Sequence, residues 1–197
     1  MNEEKDNNVE CKEFKDDQIL RGIELILDGL RLDLNDENFR ETPQRILRSY
    51  HEMFYGLHND DEIKKILKTS FPTEYDGMII EGPIQTYSMC PHHFLPVIYE
   101  VYIGYIPRNG GLGLSKLARL VEHLAKAPKL QEDFTKEIVN VLQTNLNPIG
   151  CMVLVEGQHL CMQMRGIKKP GCSTTTSSFT GAFKDAPVRN EFMSLIR

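Results

Sequence analysis

Two short segments of the sequence place histidine and cysteine close together. Cys90 and His93 form a C-x-x-H spacing that also includes His92. The second segment contains His159 and Cys161. The two thiolates and the His93 imidazole are donors that Zn²⁺ prefers, and three protein ligands leave one position for water, as in catalytic zinc sites. The spacing predicts such a site, although C-x-x-H alone also occurs without metal and a fourth protein ligand would indicate a structural zinc.

The other three cysteines, Cys11, Cys151 and Cys172, have no histidine beside them. We interpret them as non-ligands. The total of five cysteines is odd, and the first residues lack the basic-then-apolar pattern of a signal peptide. These features favour reduced thiols and a cytoplasmic location over a disulfide framework.

Basic residues form a second group that could bind a ligand. Ser115, Lys116 and Arg119 fall in the first turn or so of a predicted helix, where free N–H groups and the helix dipole attract anions. Arg165 follows Cys161 closely and is succeeded by two lysines at 168 and 169. Guanidinium groups suit phosphate oxygens. The alternative for the lysine pair is an ordinary solvated basic face.

Gln131 and Glu132 stand at the start of another predicted helix. A carboxylate at this position commonly complements the helix dipole. It is also the natural bidentate acceptor for the adjacent N–H and amino groups of a guanine edge. The sequence leaves both interpretations open.

The composition is that of an ordinary globular protein, with 41% hydrophobic and 26% charged residues among 197. No apolar run approaches the length of a membrane span, so we expect no membrane partner. Residues 1–100 carry 11 basic and 21 acidic side chains, and residues 101–197 carry 12 and 7. Because the first half is acidic and aromatic residues do not alternate with the basic ones, we expect no nucleic-acid partner.

The elements that must position these residues follow from hydrophobic periodicity. We predict a flexible arm over 1–15, a helical region over 16–76 and a catalytic domain over 77–197. Within that domain the pattern predicts strands at 78–87 and 97–106, helices at 114–126 and 130–146, and a second strand pair at 150–156 and 160–167. This order predicts an α+β fold in which helices cover an antiparallel sheet.

The residues resemble a known family, GTP cyclohydrolase I of the tunnelling fold. The matching stretches occur in family order and cover the chain from about residue 17 to its end. They are 42–45, 88–96, 103–107, 113–122, 159–166, 173–177 and 181–183. Tyr102 stands where many relatives carry His, and Pro91 where Glu is frequent; neither is among the residues with an expected chemical role.

The resemblance implies hydrolytic opening of the guanine imidazole ring of GTP at C8, release of formate and rearrangement to 7,8-dihydroneopterin triphosphate. It implies Zn²⁺ held by Cys90, His93 and Cys161. The remaining roles it implies are proton transfer by His92 and His159, guanine binding by Glu132 supported by Gln131, triphosphate binding by Arg45, Lys116, Arg119 and Arg165, and a place near the ribose for Ser115.

The resemblance also implies a homodecamer of two pentamers, in which sheets from several subunits close into a barrel and each site lies between subunits. Two alternatives stay open at this point: a tunnelling-fold enzyme acting on a pterin or deazapurine, and a binding or structural protein in which zinc only fixes a loop. The sequence leaves open which pathway, folate, tetrahydrobiopterin or 7-deazaguanine, uses the product, and whether a regulatory protein binds.

Overall fold

The computed structural model describes residues 13–58, 60–68, 70–108 and 110–196. Most of the predicted arm over 1–15, with Cys11, lies outside these residues. The described chain begins with three helices, α1 (Asp16–Gly29), α2 (Thr42–Phe54) and α3 (Asp60–Leu67). Ile23 and Leu27 lie one turn apart on α1 and are buried, as expected for the inner face of an amphipathic helix packed on α2.

A four-stranded antiparallel sheet forms the centre of the molecule. Its strands are β2 (Ile79–Met89), β3 (Pro96–Ile106), β5 (Gly150–His159) and β6 (Thr174–Gly181), in the order β2-β3-β5-β6. A smaller antiparallel pair joins β1 (Ser70–Pro72) to β4 (Gly110–Leu112). The two longest strands, β2 and β3, are connected by the tight turn that contains His92 and His93.

Two long helices, α4 (Leu114–Ala125) and α5 (Gln131–Leu146), cover one face of this sheet. Alternate residues of β3 point into the core that they enclose, and Val97, Val101 and Ile103 are fully buried there. Ile66 of α3 belongs to the same core. The predicted α+β class, with an antiparallel sheet and helices packed on it, is therefore confirmed.

The sequence did not predict the last helix, α7 (Ala186–Leu195), which packs on the opposite face at one end of the sheet. Phe192 of α7 and Phe183 of the preceding 3₁₀ turn (Ala182–Lys184) are fully buried against Met152 and Leu154 of β5. A Cβ at Gly104 would lie 2.5 Å from the Phe192 ring, so the absence of a side chain there allows the helix to dock.

The predicted strand over 160–167 is wrong. The chain instead forms a single helical turn, α6 (Leu160–Gln163), in which the N–H of Met164 donates to the Leu160 carbonyl. Apolar residues at 160, 162 and 164 alternate as in a strand, but Met164 is 60% exposed while Cys161 between them is buried. The fourth strand is β6, whose Thr and Ser residues carry little hydrophobic signal.

Among the described residues, no helix is both long and apolar enough to cross a membrane.

Candidate functional site

Cys90, His93 and Cys161 form a compact group of metal-binding side chains. Their potential ligand atoms lie within 4.8 Å of one another. The Sγ atom of Cys90 is 3.6 Å from Nδ1 of His93. Both cysteines are buried and His93 is exposed. Within the part of the chain that the structure describes, no fourth His, Cys, Asp or Glu belongs to the group.

The chemistry of this donor set fits a zinc ion. Burial raises the pKa of the Cys161 thiol and its neighbour Cys90 raises it further, while the Arg165 guanidinium has a smaller opposite effect. Two thiolates side by side repel each other, and a divalent cation between them removes that cost. Two sulfurs and one imidazole nitrogen within 4.8 Å of one another supply three of the four donors that a tetrahedral zinc site takes.

The register of the sheet explains why residues so far apart in sequence meet. Ser88 of β2 lies opposite Val97 of β3, and Val97 in turn lies opposite His159 of β5. Cys90 therefore leaves the sheet at the same end at which Cys161 enters α6. A three-strand antiparallel register thus brings the C-x-x-H segment and the second His/Cys pair to one edge of the sheet.

A tight turn after β2 presents the two neighbouring histidines. The N–H of Cys90 donates to the Leu95 carbonyl, the N–H of Phe94 donates to the Cys90 carbonyl, and both bonds are 2.9 Å long. Phe94 adopts a φ of 51°, in the left-handed region, and its ring lies 5.6 Å from that of Phe54 on α2. The two backbone hydrogen bonds close the turn and leave His93 next to Cys90.

The metal-binding group opens into a pocket of about 300 Å³. Most of the predicted site lines it: Cys90, His92, His93, Gln131, Glu132, His159 and Cys161. Glu132 is exposed in the first turn of α5, whereas Gln131 beside it is only 3% exposed. One pocket therefore contains a metal-binding group, two further groups able to transfer protons and a carboxylate that can accept hydrogen bonds.

The electrostatics of the pocket favour a neutral His159. Burial lowers the pKa of this imidazole, and the nearby Glu132 carboxylate opposes the effect only in part. A histidine with a pKa below its ordinary value is uncharged at neutral pH and can accept a proton. Its Nε2 atom lies 2.9 Å from Oε1 of Gln131.

The predicted anion-binding residues are distributed differently. Lys116 and Arg119 line a separate pocket of about 480 Å³ that also contains Glu62 and Glu122. Ser115 is exposed in the first turn of α4, the helix that also carries Lys116 and Arg119. Within one chain, the structure therefore does not bring these residues to the metal-binding group.

The remaining two cations lie on different elements. Arg165 is exposed just beyond α6 and close enough to Cys161 to affect its pKa. Arg45 is exposed on α2, where it forms a 3.0 Å ion pair with Glu41 one turn earlier. Of the predicted triphosphate ligands, only Arg165 is near the metal-binding group of the same chain.

Sequence reasoning missed the residues that support the pocket from behind. Tyr99 is 1% exposed, its ring stacks on Phe134 at 5.0 Å, and its edge meets His159 at 6.2 Å between ring centroids. Thr135 and Thr176 form hydrogen bonds around Gln131. Their signal in the sequence is indirect: position 99 lies on the inward face of β3, and the inward positions of β6 carry threonines.

An antiparallel sheet with three side chains at its edge that could hold a metal ion, next to histidines and a carboxylate, is an arrangement suited to metal-assisted hydrolysis. The model of the GTP cyclohydrolase I family matches residues 19–197. The chain belongs to this family.

Curated relatives cover nearly the whole chain. It is 46% identical over 182 residues to GTP cyclohydrolase 1 of Thermoanaerobacter pseudethanolicus, covering 91% of this chain and 96% of that protein. It is 45% identical over 181 residues to GTP cyclohydrolase 1 of Desulforamulus reducens, with the same coverage. A crystal structure of the archaeosine synthase QueF-Like in the apo form aligns with 53% of this chain and 94% of its own, at 18% identity and a TM-score of 0.45.

Proposed function

We propose that this protein is a GTP cyclohydrolase I. It opens the guanine imidazole ring of GTP by hydrolysis at C8, releases formate and forms 7,8-dihydroneopterin triphosphate. The observation that carries the proposal is one pocket in which Cys90, His93 and Cys161 converge beside His159 and Glu132. Membership of the family, with relatives of this name along nearly the whole chain, supports the same activity.

Cys90, His93 and Cys161 would hold Zn²⁺. When bound, the ion supplies a Lewis acid that makes a water molecule nucleophilic near neutral pH. The three-member group favours this role over a purely structural zinc, because structural sites take four protein ligands and the described residues provide three.

The histidines of the pocket would move the protons of the reaction. His159, uncharged at neutral pH, is suited to accept a proton when the nucleophile attacks C8, and to return it to a purine nitrogen when the ring opens. His92 lies on the same pocket wall and is the second candidate for proton transfer.

Substrate binding would use both ends of GTP. Glu132 is exposed in the pocket and would accept two hydrogen bonds from the N–H and amino groups of guanine, with Gln131 beside it. Arg165, Arg45, Lys116 and Arg119 would neutralise the triphosphate, and Ser115 would approach the ribose. Because the triphosphate does not react, its binding energy can orient the purine at the metal.

A homodecamer of two pentamers would bring these groups together. Lys116 and Arg119 lie in a pocket separate from the metal-binding group of their own chain, and in the decamer a neighbouring chain would supply them to a shared site. Among the residues that the structure describes, β2 and β6 are the outer strands of the central sheet, and each pairs with a neighbour on one side only. Pairing of β2 with β6 of a neighbour would remove both edges and continue the sheet into a barrel.

The decisive experiment incubates the purified, zinc-loaded protein with GTP. We expect stoichiometric formate and, after oxidation, a fluorescent pterin. Intact GTP and no formate after long incubation would contradict the proposal. Binding of a pterin or deazapurine under those conditions would then favour another tunnelling-fold activity.

A further inference from the structure

Gln131 is the centre of a closed set of hydrogen bonds behind the pocket. The Thr135 hydroxyl donates to the backbone carbonyl of Gln131 at 2.7 Å, which uses its single proton. Because Oγ1 of Thr176 is 2.6 Å from Oγ1 of Thr135, Thr176 must be the donor in that second bond. The Thr176 oxygen then accepts from Nε2 of Gln131 at 3.1 Å, which closes the set.

These bonds fix the orientation of the Gln131 amide. Its nitrogen is also 2.8 Å from the Thr174 carbonyl and 3.1 Å from the Val155 carbonyl, and both of these can only accept. The opposite orientation would place the amide oxygen against two carbonyls, which is unfavourable in a buried position. A Cβ at Gly157 would collide with Oε1 of Gln131, so the glycine leaves space for the amide.

The fixed amide determines which ring nitrogen of His159 carries a hydrogen in the neutral imidazole. Oε1 of Gln131 is an acceptor and lies 2.9 Å from Nε2 of His159, so that nitrogen carries the hydrogen. In the neutral ring, the lone pair is then on Nδ1. The Tyr99 ring and the imidazole lie in a T-shaped arrangement, with 6.2 Å between their centroids.

The same geometry leaves Gln131 little capacity for a ligand. The side chain is 3% exposed, its oxygen is directed at His159, and its two N–H groups face three acceptors of β5 and β6. Glu132, the next residue, is exposed to the pocket. The two adjacent residues therefore point in different directions and serve different groups.

We infer that Gln131 is a positioning residue that holds His159 with its hydrogen on Nε2, and that it does not bind the guanine edge. The inference rests on the proposed function, since it assigns to His159 the proton transfer of that reaction. Groups that orient metal-ligating histidines commonly affect activity by about 10- to 100-fold, and we expect an effect of the same order for His159. Removing the Gln131 side chain should therefore lower kcat and leave the affinity for the substrate unchanged.

The test replaces Gln131 with methionine, which keeps the length of the side chain and removes its hydrogen bonds. We expect kcat for formate release to fall about tenfold or more, with KM for GTP unchanged. Calorimetry with 7-deaza-GTP, which keeps the pyrimidine edge of guanine but lacks N7, should give an unchanged Kd. A rise in KM and Kd comparable to that of Glu132→Gln would overturn the inference, and so would an unchanged kcat.

Gln143→Met is the matched control. Gln143 lies on the same helix and accepts a 2.7 Å hydrogen bond from Thr180 of β6, outside the lining of the metal pocket. We expect it to keep both kcat and KM. If Gln131→Met does not fold, Thr176→Val removes the two bonds that the Thr176 hydroxyl forms, only one of them to the Gln131 amide. It should lower kcat in the same direction by a smaller factor; an unchanged kcat there would overturn the inference.

A double mutant separates this inference from the proposed function. In a His159→Ala background, Gln131→Met should cause no further loss of rate and no change in Kd for 7-deaza-GTP, because the two residues act as one unit. A tenfold weaker Kd in that background would identify a direct contact with guanine and overturn the inference. Absence of formate release by the wild-type protein would contradict the proposed function itself, and the Kd comparison would still report on the guanine contact.

Discussion

A conservative change at Cys161 should separate metal binding from folding. Cys161→Ser replaces a buried thiolate ligand by a poor one, so we expect loss of zinc together with loss of formate release. The assembly should survive because the substitution is nearly isosteric. Metal analysis, the formate assay and native mass spectrometry measure the three quantities.

Cys172 provides the control for this substitution. It is an exposed thiol in the segment before β6 and is outside the metal-binding group. Cys172→Ser should keep its zinc and its activity. Full zinc content and full activity in Cys161→Ser would remove Cys161 from the metal site.

Glu132 tests recognition of the guanine base. Glu132→Gln replaces one acceptor oxygen by a donor, so one of two charge-assisted hydrogen bonds to guanine is lost. We expect KM for GTP to rise roughly 10- to 100-fold with zinc retained. Asp133→Asn changes the next exposed carboxylate on the same helix and should leave KM unaffected. Equal KM values for Glu132→Gln and the wild type would contradict the role in guanine binding.

The metal-binding residues were predictable because residue type and spacing alone indicate metal ligands. Cys90 and His93 are a local pair, and Cys161 has a histidine two positions before it. The residues that pack behind the pocket were not predictable in this way. Tyr99 looks like any inward residue of a strand, and the role of Thr176 depends on a partner on α5 that only the folded chain brings near.

At the level of elements, Phe192 is the one fully buried side chain of α7. Phe192 is fully buried between Gly104 of β3 and Phe183. Phe192→Ala would leave a cavity under the helix, and we expect a loss of about 3–5 kcal/mol in the free energy of unfolding. Denaturant titration at fixed protein concentration measures this loss.

Leu195 at the end of the same helix is 60% exposed and gives the comparison. Leu195→Ala should change the free energy of unfolding by about 0.5 kcal/mol or less. If Phe192→Ala is no more destabilising than Leu195→Ala, α7 does not depend on this contact.

The elements that sequence periodicity missed have a common physical reason. The inward positions of β6 carry Thr or Ser, and two of them, Thr176 and Thr180, bond through their hydroxyls to Gln131 and Gln143 of α5. The strand therefore lacks the apolar alternation by which strands are recognised. The segment after His159 shows that alternation but forms a helical turn, in which Cys161 is buried. The bounds of the amphipathic helices α4 and α5 were predicted to within about one residue at each end.

At the level of the whole molecule, the arrangement of the two pockets predicts that inactive chains complement each other. Cys161→Ser disables the metal-binding half of a site and Arg119→Ala its triphosphate half. If each site takes these halves from different chains, random mixing of the two variants should restore about a quarter of wild-type activity. Co-expression followed by the formate assay measures the recovery.

The control pairs two variants of the same half. His93→Ala and Cys161→Ser both remove metal ligands, so every site in their mixture keeps a defective metal-binding half. We expect no recovery. Absence of recovery in the first mixture as well would indicate that each chain forms its site alone.

Gln131 and Glu132 are neighbours in the first turn of α5, one buried and one exposed. Phe134 and Ile138 are fully buried and fix the rotation of α5 about its axis. An α-helix turns by about 100° per residue, so a residue inserted between Glu132 and Phe134 would carry the carboxylate and the amide away from their present directions. Substrate choice and proton transfer are thus tied to the spacing between the first turn of α5 and its apolar face.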